Sequence, residues 1–236
     1  MKGSHLLAID TSGSRCSVAL SSAGGNLFLC SAADRRHAAE LLPMIQTLLE
    51  QSSLTLSALD AIAVVSGPGS FTGLRIGTAV TQGLAHGAGV PVIAVSALRV
   101  LAQQYIERTP SVCAAVRVCL KARENECYAA SFDCRSGQAC ELGAARVATG
   151  RQTLPSTDVG LQFRDWVALG DAWQDPALVD LAMEAGLRVV DANPVMDARD
   201  VLVVAQHLLE AGEVMRPEML QPLYIKDELE YRRVGQ

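Results

Sequence analysis

The chain carries no lysine between Lys2 and Lys121. A phosphate-binding P-loop places a lysine after its glycines to meet the terminal phosphates, so the glycine-rich stretch 66–77, inside that gap, is not one. Long apolar spans are also missing: a membrane helix needs about 18 uninterrupted apolar residues, and none occurs. The start, Met1-Lys2-Gly3-Ser4-His5-Leu6, lacks the apolar region and small-residue cleavage site of a signal peptide. Positive charge is not in excess: Lys and Arg total 20 against 25 Asp and Glu, a net charge of −5. That balance argues against a broadly basic nucleic-acid surface and leaves any RNA work to a local patch or a partner. The tail residues Lys226, Arg232 and Arg233 are interleaved with Asp227, Glu228 and Glu230, a mixed-charge end of the kind that is simply solvated. The seven cysteines include no C-x-x-C pair. Cys113, Cys119, Cys127, Cys134 and Cys140 fall on or beside apolar strand-like segments, which reads as buried free thiols rather than a zinc site. Free thiols suit a reducing compartment, so the expectation is a cytoplasmic protein without a membrane anchor.

The most informative segment present is Ser66-Gly67-Pro68-Gly69-Ser70-Phe71-Thr72-Gly73-Leu74-Arg75-Ile76-Gly77. It follows an apolar run, 61–65, that reads as a buried strand, and it opens a helix expected over 70–87 that ends at glycine. A dinucleotide fingerprint needs glycines at its first, third and sixth positions; here they fall at Gly67, Gly69 and Gly73, one residue too long. The next strand, 91–95, leads to Ser96 rather than to a ribose-binding acid. A self-sufficient nucleotide site is therefore not expected in this loop. Gly69, Gly73, Gly77, Thr81 and Ala85 instead recur every four residues and line one helical ridge. Each interior glycine costs a helix about 1 kcal/mol relative to alanine, so close packing must compensate. The spacing leaves two readings open: packing against another helix within the monomer, or a subunit interface.

Length and composition fit one large domain or two small lobes, with half the residues hydrophobic. In the first half, Leu6–Asp10, 16–21 and 27–31 read as strands. A helix follows with Leu41, Leu42, Ile45, Leu48 and Leu49 as its apolar face, and Pro43 predicts a kink or a late start. Strands 61–66 and 91–95, joined by a helix, should be parallel neighbours. The second half repeats the order loosely: strands 112–120, 126–132, 138–142, 166–169 and 187–190, a helix 176–185, and a last helix 197–211 capped by Asp197 or Asn193 and stopped by Gly212. Residues 143–165 carry little periodic signal. The expectation is a duplicated ribonuclease-H-like α/β fold. A first lobe, 1–100, would carry a dimerisation surface, and a second, reduced lobe would span 101–236. The two would meet near 98–110, and helix 197–212 would pack back on the first lobe.

With these segments in place, the chain resembles the TsaB family, also called YeaZ. The resemblance rests on Leu7-Ala8-Ile9-Asp10-Thr11-Ser12 with Cys16-Ser17-Val18-Ala19-Leu20, His37 with Leu41-Leu42-Pro43, and the 67–77 stretch. Ala122-Arg123 with Asn125-Glu126 and Tyr128, and Pro222-Leu223-Tyr224-Ile225-Lys226, extend it. It implies the two-lobed actin, sugar-kinase and heat-shock-chaperone fold. It also implies a role in making threonylcarbamoyladenosine at position 37 of tRNA, as the non-catalytic dimerisation subunit of the catalytic paralogue TsaD, acting with TsaE. Alone, the chain would form a homodimer; tRNA would be met only through the complex. No cofactor is expected on this chain by itself, with ATP or ADP placed, if anywhere, at a boundary shared with TsaD.

The same resemblance places the interface on His37, Leu41, Met44, Ile45, Phe71, Gly73, Leu74, Gly77 and Thr81. Asp10, Thr11, Ser12, Ser70 and Thr72 would lie near any nucleotide. Asp10 has two readings, a carboxylate holding a metal-bound water or a group that hydrogen-bonds its own turn, and the second is favoured. In the catalytic paralogue two histidines bind the metal; the matching positions here are Ala97 and Leu101, which cannot ligate one. His37 and His86 have no second His or Cys at ligand spacing and read as surface or interface histidines. Gly170-Asp171 is a poor match to a second phosphate turn. Lys121 stands where the family usually has aspartate, and Lys226 replaces the usual tail arginine without its bidentate fork. The competing hypotheses are an independent small-molecule kinase or metallopeptidase, which would need a two-phosphate cleft or metal ligands, and a direct tRNA-binding module, which conflicts with the acidic balance.

Overall fold

The computed structural model describes residues 4–31, 36–109, 114–156 and 160–225. Strands β1 (Leu6–Asp10), β2 (Ser17–Ser22) and β3 (Gly25–Cys30) are followed by α1 (His37–Ser52), β4 (Ala61–Gly67), α2 (Phe71–Ala88), β5 (Val92–Ser96) and α3 (Ala97–Arg108). The first sheet runs β3-β2-β1-β4-β5. Pairs β1/β2 and β2/β3 are antiparallel, and β1/β4 and β4/β5 are parallel.

The remaining strands are β6 (Ala115–Lys121), β7 (Cys127–Asp133), β8 (Cys140–Glu141), β9 (Arg146–Ala148), β10 (Trp166–Leu169) and β11 (Arg188–Asp191). Helices α4 (Pro176–Ala185) and α5 (Ala198–Glu210) complete the elements. The second sheet runs β11-β10-β6-β7-β8, with β9 also on β7. Again the first three strands are antiparallel neighbours and the later two join in parallel. The same strand order, with the same sense at each pairing, occurs twice. This is the duplicated ribonuclease-H-like fold of the actin, sugar-kinase and heat-shock-chaperone superfamily.

Why the first sheet reads as unbroken apolar runs is clear from its two faces. Leu6 and Ala8 of β1 meet α3 and α5 through Ala97, Val100, Val201 and Ala205. Leu7 and Ile9 meet α1 and α2 through Leu41, Ile45, Leu48 and Ala85. A strand covered on both faces needs no polar alternation. Helix α3 is likewise covered twice: Leu98, Leu101 and Ala102 pack on Val116, Val118 and Phe132 of the second sheet. The last helix packs on the first sheet.

Residues 98–110, where the two lobes are expected to meet, are mostly helix α3, which packs on both sheets. Two expectations need correcting. Helix α1 does not start late, since it runs six residues before Pro43, whose exposed ring sits on the solvent side. Helix α2 ends at Gly89, with φ 70°, two residues beyond Gly87. In the weakly patterned span 143–165 the second lobe has β9 and short 3-10 turns, Gly150–Thr153 and Phe163–Asp165, in place of a helix corresponding to α1.

Candidate functional site

The end of β1 and the glycine-rich start of α2 are locked together by short polar contacts. Asp10 Oδ1 accepts from the Ser12 backbone N–H at 2.8 Å and from Ser12 Oγ at 2.6 Å. Ser70 N–H donates to Ser12 O at 2.7 Å, and Thr11 Oγ1 donates to Gly73 O at 2.8 Å. Ser70 caps α2, its Oγ accepting from Gly73 N–H at 3.3 Å. From α1, His37 Nε2 lies 3.2 Å from Gly13 O. A Cβ on Gly73 would run into the Thr11 carbonyl, and one on Gly77 into Thr11 Oγ1. The small-residue ridge therefore packs inside the monomer, as one reading had it, but against the turn after β1 rather than against another helix.

That inward packing corrects the residue list drawn for the interface. His37, at 6 % exposure, is buried, as are Leu41, Ile45, Gly73, Leu74, Gly77 and Thr81. Helical periodicity marks the stripe facing the core, so most residues chosen by it lie under the face instead of on it. Met44 is partly buried, and Phe71 stands out at 60 % exposure. Leu42, 50 % exposed, and Arg75 join it on the outside. The Arg75 guanidinium stacks 3.5 Å from the Phe71 ring centroid and donates from Nη2 to Tyr224 Oη at 3.2 Å. Leu223 N–H donates to Ser66 O at 2.8 Å, which fixes the tail beside the start of α2. This contact between Arg75 and a residue 149 positions later has no sequence signal beyond the tail motif itself; Lys226 lies outside the described residues.

The second feature is a cleft of ≈ 580 Å³ between the two sheets, lined by Asp10, Ser12, Arg15, Lys121, Asp171 and Asp197 among others. Ala97 and Leu101, from the first turns of α3, also form its wall. Thr72 and Ser70 line a separate hollow with His37 and Gly13, and Thr11 is enclosed. Of the five residues expected near a nucleotide, only Asp10 and Ser12 border the cleft. Lys121 has a structural role there: its N–H donates to Asp171 Oδ1 at 2.7 Å and its Nζ to Gln174 Oε1 at 3.0 Å. Asp171 is thereby tied to the end of β6. Among the described residues, no three His, Cys, Asp or Glu side chains gather at metal-binding spacing, and no helix is long and apolar enough to cross a membrane.

Burial raises the Asp10 pKa above 3.8; the two Ser12 hydrogen bonds oppose the shift and Asp197 adds to it. A carboxyl that holds its proton more tightly when folded lowers native stability as pH rises from about 3.8 through its folded value. Asp10→Asn should remove that loss. Urea denaturation at pH 4 and pH 7 should show the variant gaining on the parent protein as pH rises; a constant difference between them would contradict the assignment.

A family model described as "TsaD: tRNA N6-adenosine threonylcarbamoyltransferase" matches residues 21–228. The Escherichia coli (strain K12) "tRNA threonylcarbamoyladenosine biosynthesis protein TsaB" is 32% identical over 234 residues, covering 98% of this chain and 98% of that protein. The chain belongs to the TsaB family. The Haemophilus influenzae TsaB is also 32% identical, over 99% of this chain and 98% of its own length. The solved structure of YeaZ from Pseudomonas aeruginosa matches with a TM-score of 0.78 at 34% identity, covering 93% of this chain and 100% of that one. A second structure, titled as an uncharacterized protein with similarity to peptidase YEAZ from the same organism, reaches 0.80 at 34% identity, over 94% of this chain and all of that one. The TsaB-family motifs thus sit at the locked turn, at the start of α2 and on the docked tail.

Proposed function

We propose that this TsaB-family chain is a non-catalytic partner subunit in threonylcarbamoyl modification of tRNA, pairing with TsaD and acting with TsaE. The observation that carries the reading is the outward face of α1 and the start of α2. Leu42 on α1 and Phe71 at the start of α2 are exposed, and the start of α2 is held in place by the Thr11–Gly73 hydrogen bond. Exposed aromatic and aliphatic anchors on a pre-ordered surface are what a protein interface uses. The same face would serve an isologous homodimer when TsaD is absent. The apolar Ala97 and Leu101 on the cleft wall support assigning the transfer chemistry to TsaD. In this reading the protein works in the cytoplasm, tRNA reaches it only through the complex, and ATP or ADP binds, if at all, where the two subunits meet.

Reconstitution with TsaD, TsaE and the enzyme that forms the threonylcarbamoyl adenylate tests the proposal. Modified tRNA should fall to background when this chain is left out and return when it is added. Full modification without it, or transfer by this chain without TsaD, would refute the subunit role.

A further inference from the structure

The chain after α5 runs back along α2, from its last turn to its first. Met215 and Val92 exchange backbone hydrogen bonds at 2.9 and 3.0 Å, and Glu218 Oε1 lies 3.0 Å from His86 Nδ1. The Gln82 side-chain amide donates to two carbonyls of this segment, Pro217 O at 3.1 Å and Leu220 O at 2.9 Å. Leu220 itself is fully buried. At the far end Leu223 N–H donates to Ser66 O at 2.8 Å. The Leu223 carbonyl lies 3.0 Å from where a Cβ on Gly67 would stand, so backbone meets backbone there. Tyr224 therefore arrives at the start of α2 on a fixed segment, with its ring 54 % exposed.

The group it meets is Arg75, which is exposed. The guanidinium is stacked 3.5 Å from the Phe71 ring centroid and donates from Nη2 to Tyr224 Oη at 3.2 Å. Among the described residues no carboxylate pairs with it, and the rest of its donor fork is unused. Arginine set between aromatic rings is the composition of an interface hot spot. Holding the guanidinium in advance also lowers the ordering cost that a partner would meet.

Charge decides which partner the cluster fits. Helix α2 contains no Asp or Glu. Of the two acids on α1, Glu40 pairs with Arg36 at 3.4 Å and Glu50 lies in the last turn. A two-fold contact through this face would bring two Arg75 groups into one interface with no free carboxylate from the start of α1 or from α2 to separate them. Like charges facing each other in a desolvated contact are unfavourable. Resting on the subunit reading above, we propose that Phe71, Arg75 and Tyr224 form the docking site for an acidic residue of TsaD flanked by an apolar one. The carboxylate takes the open edge of the Arg75 guanidinium in a two-bond fork, and the apolar neighbour covers Phe71 and the exposed Leu223.

Isothermal titration of TsaD with the full chain, Arg75→Glu and Arg75→Lys tests the site, with thermal unfolding of each variant alongside. Arg75→Glu should weaken binding by at least about 30-fold. Arg75→Lys, which keeps the charge without the fork, should weaken it by about tenfold and remains informative if the charge reversal unfolds the chain. Sedimentation of the chain alone should show self-association no weaker in Arg75→Glu than in the parent. Undiminished affinity of either variant for TsaD, with the parent binding, overturns this docking site and leaves the subunit reading intact. Failure of the parent to bind TsaD overturns both. Loss of self-association in Arg75→Glu as large as its loss of TsaD binding would seat a second copy at the cluster and overturn the proposal.

Discussion

Replacing Gly73 by alanine should destabilise the protein by about 2 kcal/mol, although alanine is the better helix former. The helix gains about 1 kcal/mol from the exchange. The new Cβ meets the backbone carbonyl of Thr11, and overpacking against a group that cannot swing aside costs about 1–3 kcal/mol or more. The carbonyl belongs to a turn held by Ser70, Gly73 and the hydrogen bonds to Asp10, so the upper end of that range applies. Gly83 provides the opposite case in the same helix: nothing lies within 4 Å of its Cβ position. Gly83→Ala should therefore stabilise by about 1 kcal/mol. Urea unfolding of the two variants beside the parent protein reads both signs. Equal shifts in the same direction would mean that the Thr11 contact does not govern the ridge.

Phe71→Asp should weaken pairing with TsaD by about 100-fold while leaving the monomer's unfolding midpoint nearly unchanged. At 60 % exposure the ring contributes little to the folded core, whereas an aromatic anchor at the centre of an interface is worth about 2–4 kcal/mol. The aspartate also brings an unpaired charge to a surface that must be desolvated. Arg75 would lose its ring contact but keep Tyr224 within reach. Isothermal titration against TsaD measures the first effect and thermal unfolding the second. Undiminished affinity would move the interface away from the start of α2. A large drop in stability would instead make Phe71 a structural residue.

These two tests replace a less discriminating one that the sequence suggests, a bulky residue at Gly77. Because Gly77 faces Thr11 Oγ1 and Val64 inside the lobe, a leucine there disrupts the monomer before it reports on any partner. The distinction between the buried and outer faces of α1 and α2 is thus also a distinction between stability variants and binding variants. Leu41 and Ile45 belong to the first class, Leu42 and Phe71 to the second.

Much of the architecture was legible along the chain. Strands β1, β4 and β10, and helices α4 and α5, follow from apolar runs, 3.6-residue periodicity and caps such as Asp197, whose side chain accepts from Arg199 N–H. The family motifs were legible as well, because they are contiguous. Interaction face and core could not be separated in this way. Both helices show one strong apolar stripe, most of which the sheet consumes; Leu42 belongs to the periodic face of α1 yet stays exposed, and Phe71 is exposed at the first residue of α2. Helix α3 buries Gln103 and Gln104 along with its apolar residues, so polar positions along it do not mark an outer face.

By itself, the sequence determined the two-lobed α/β class, the family and the exclusion of a P-loop, since these depend on local pattern and on which residue types are present. Only the tertiary structure decided what the glycine ridge touches, why Lys121 is accommodated beside Asp171, and how Tyr224 comes to hold Arg75 at the start of α2. Each of those depends on contacts between residues tens of positions apart, where one backbone approach or one hydrogen bond fixes the outcome.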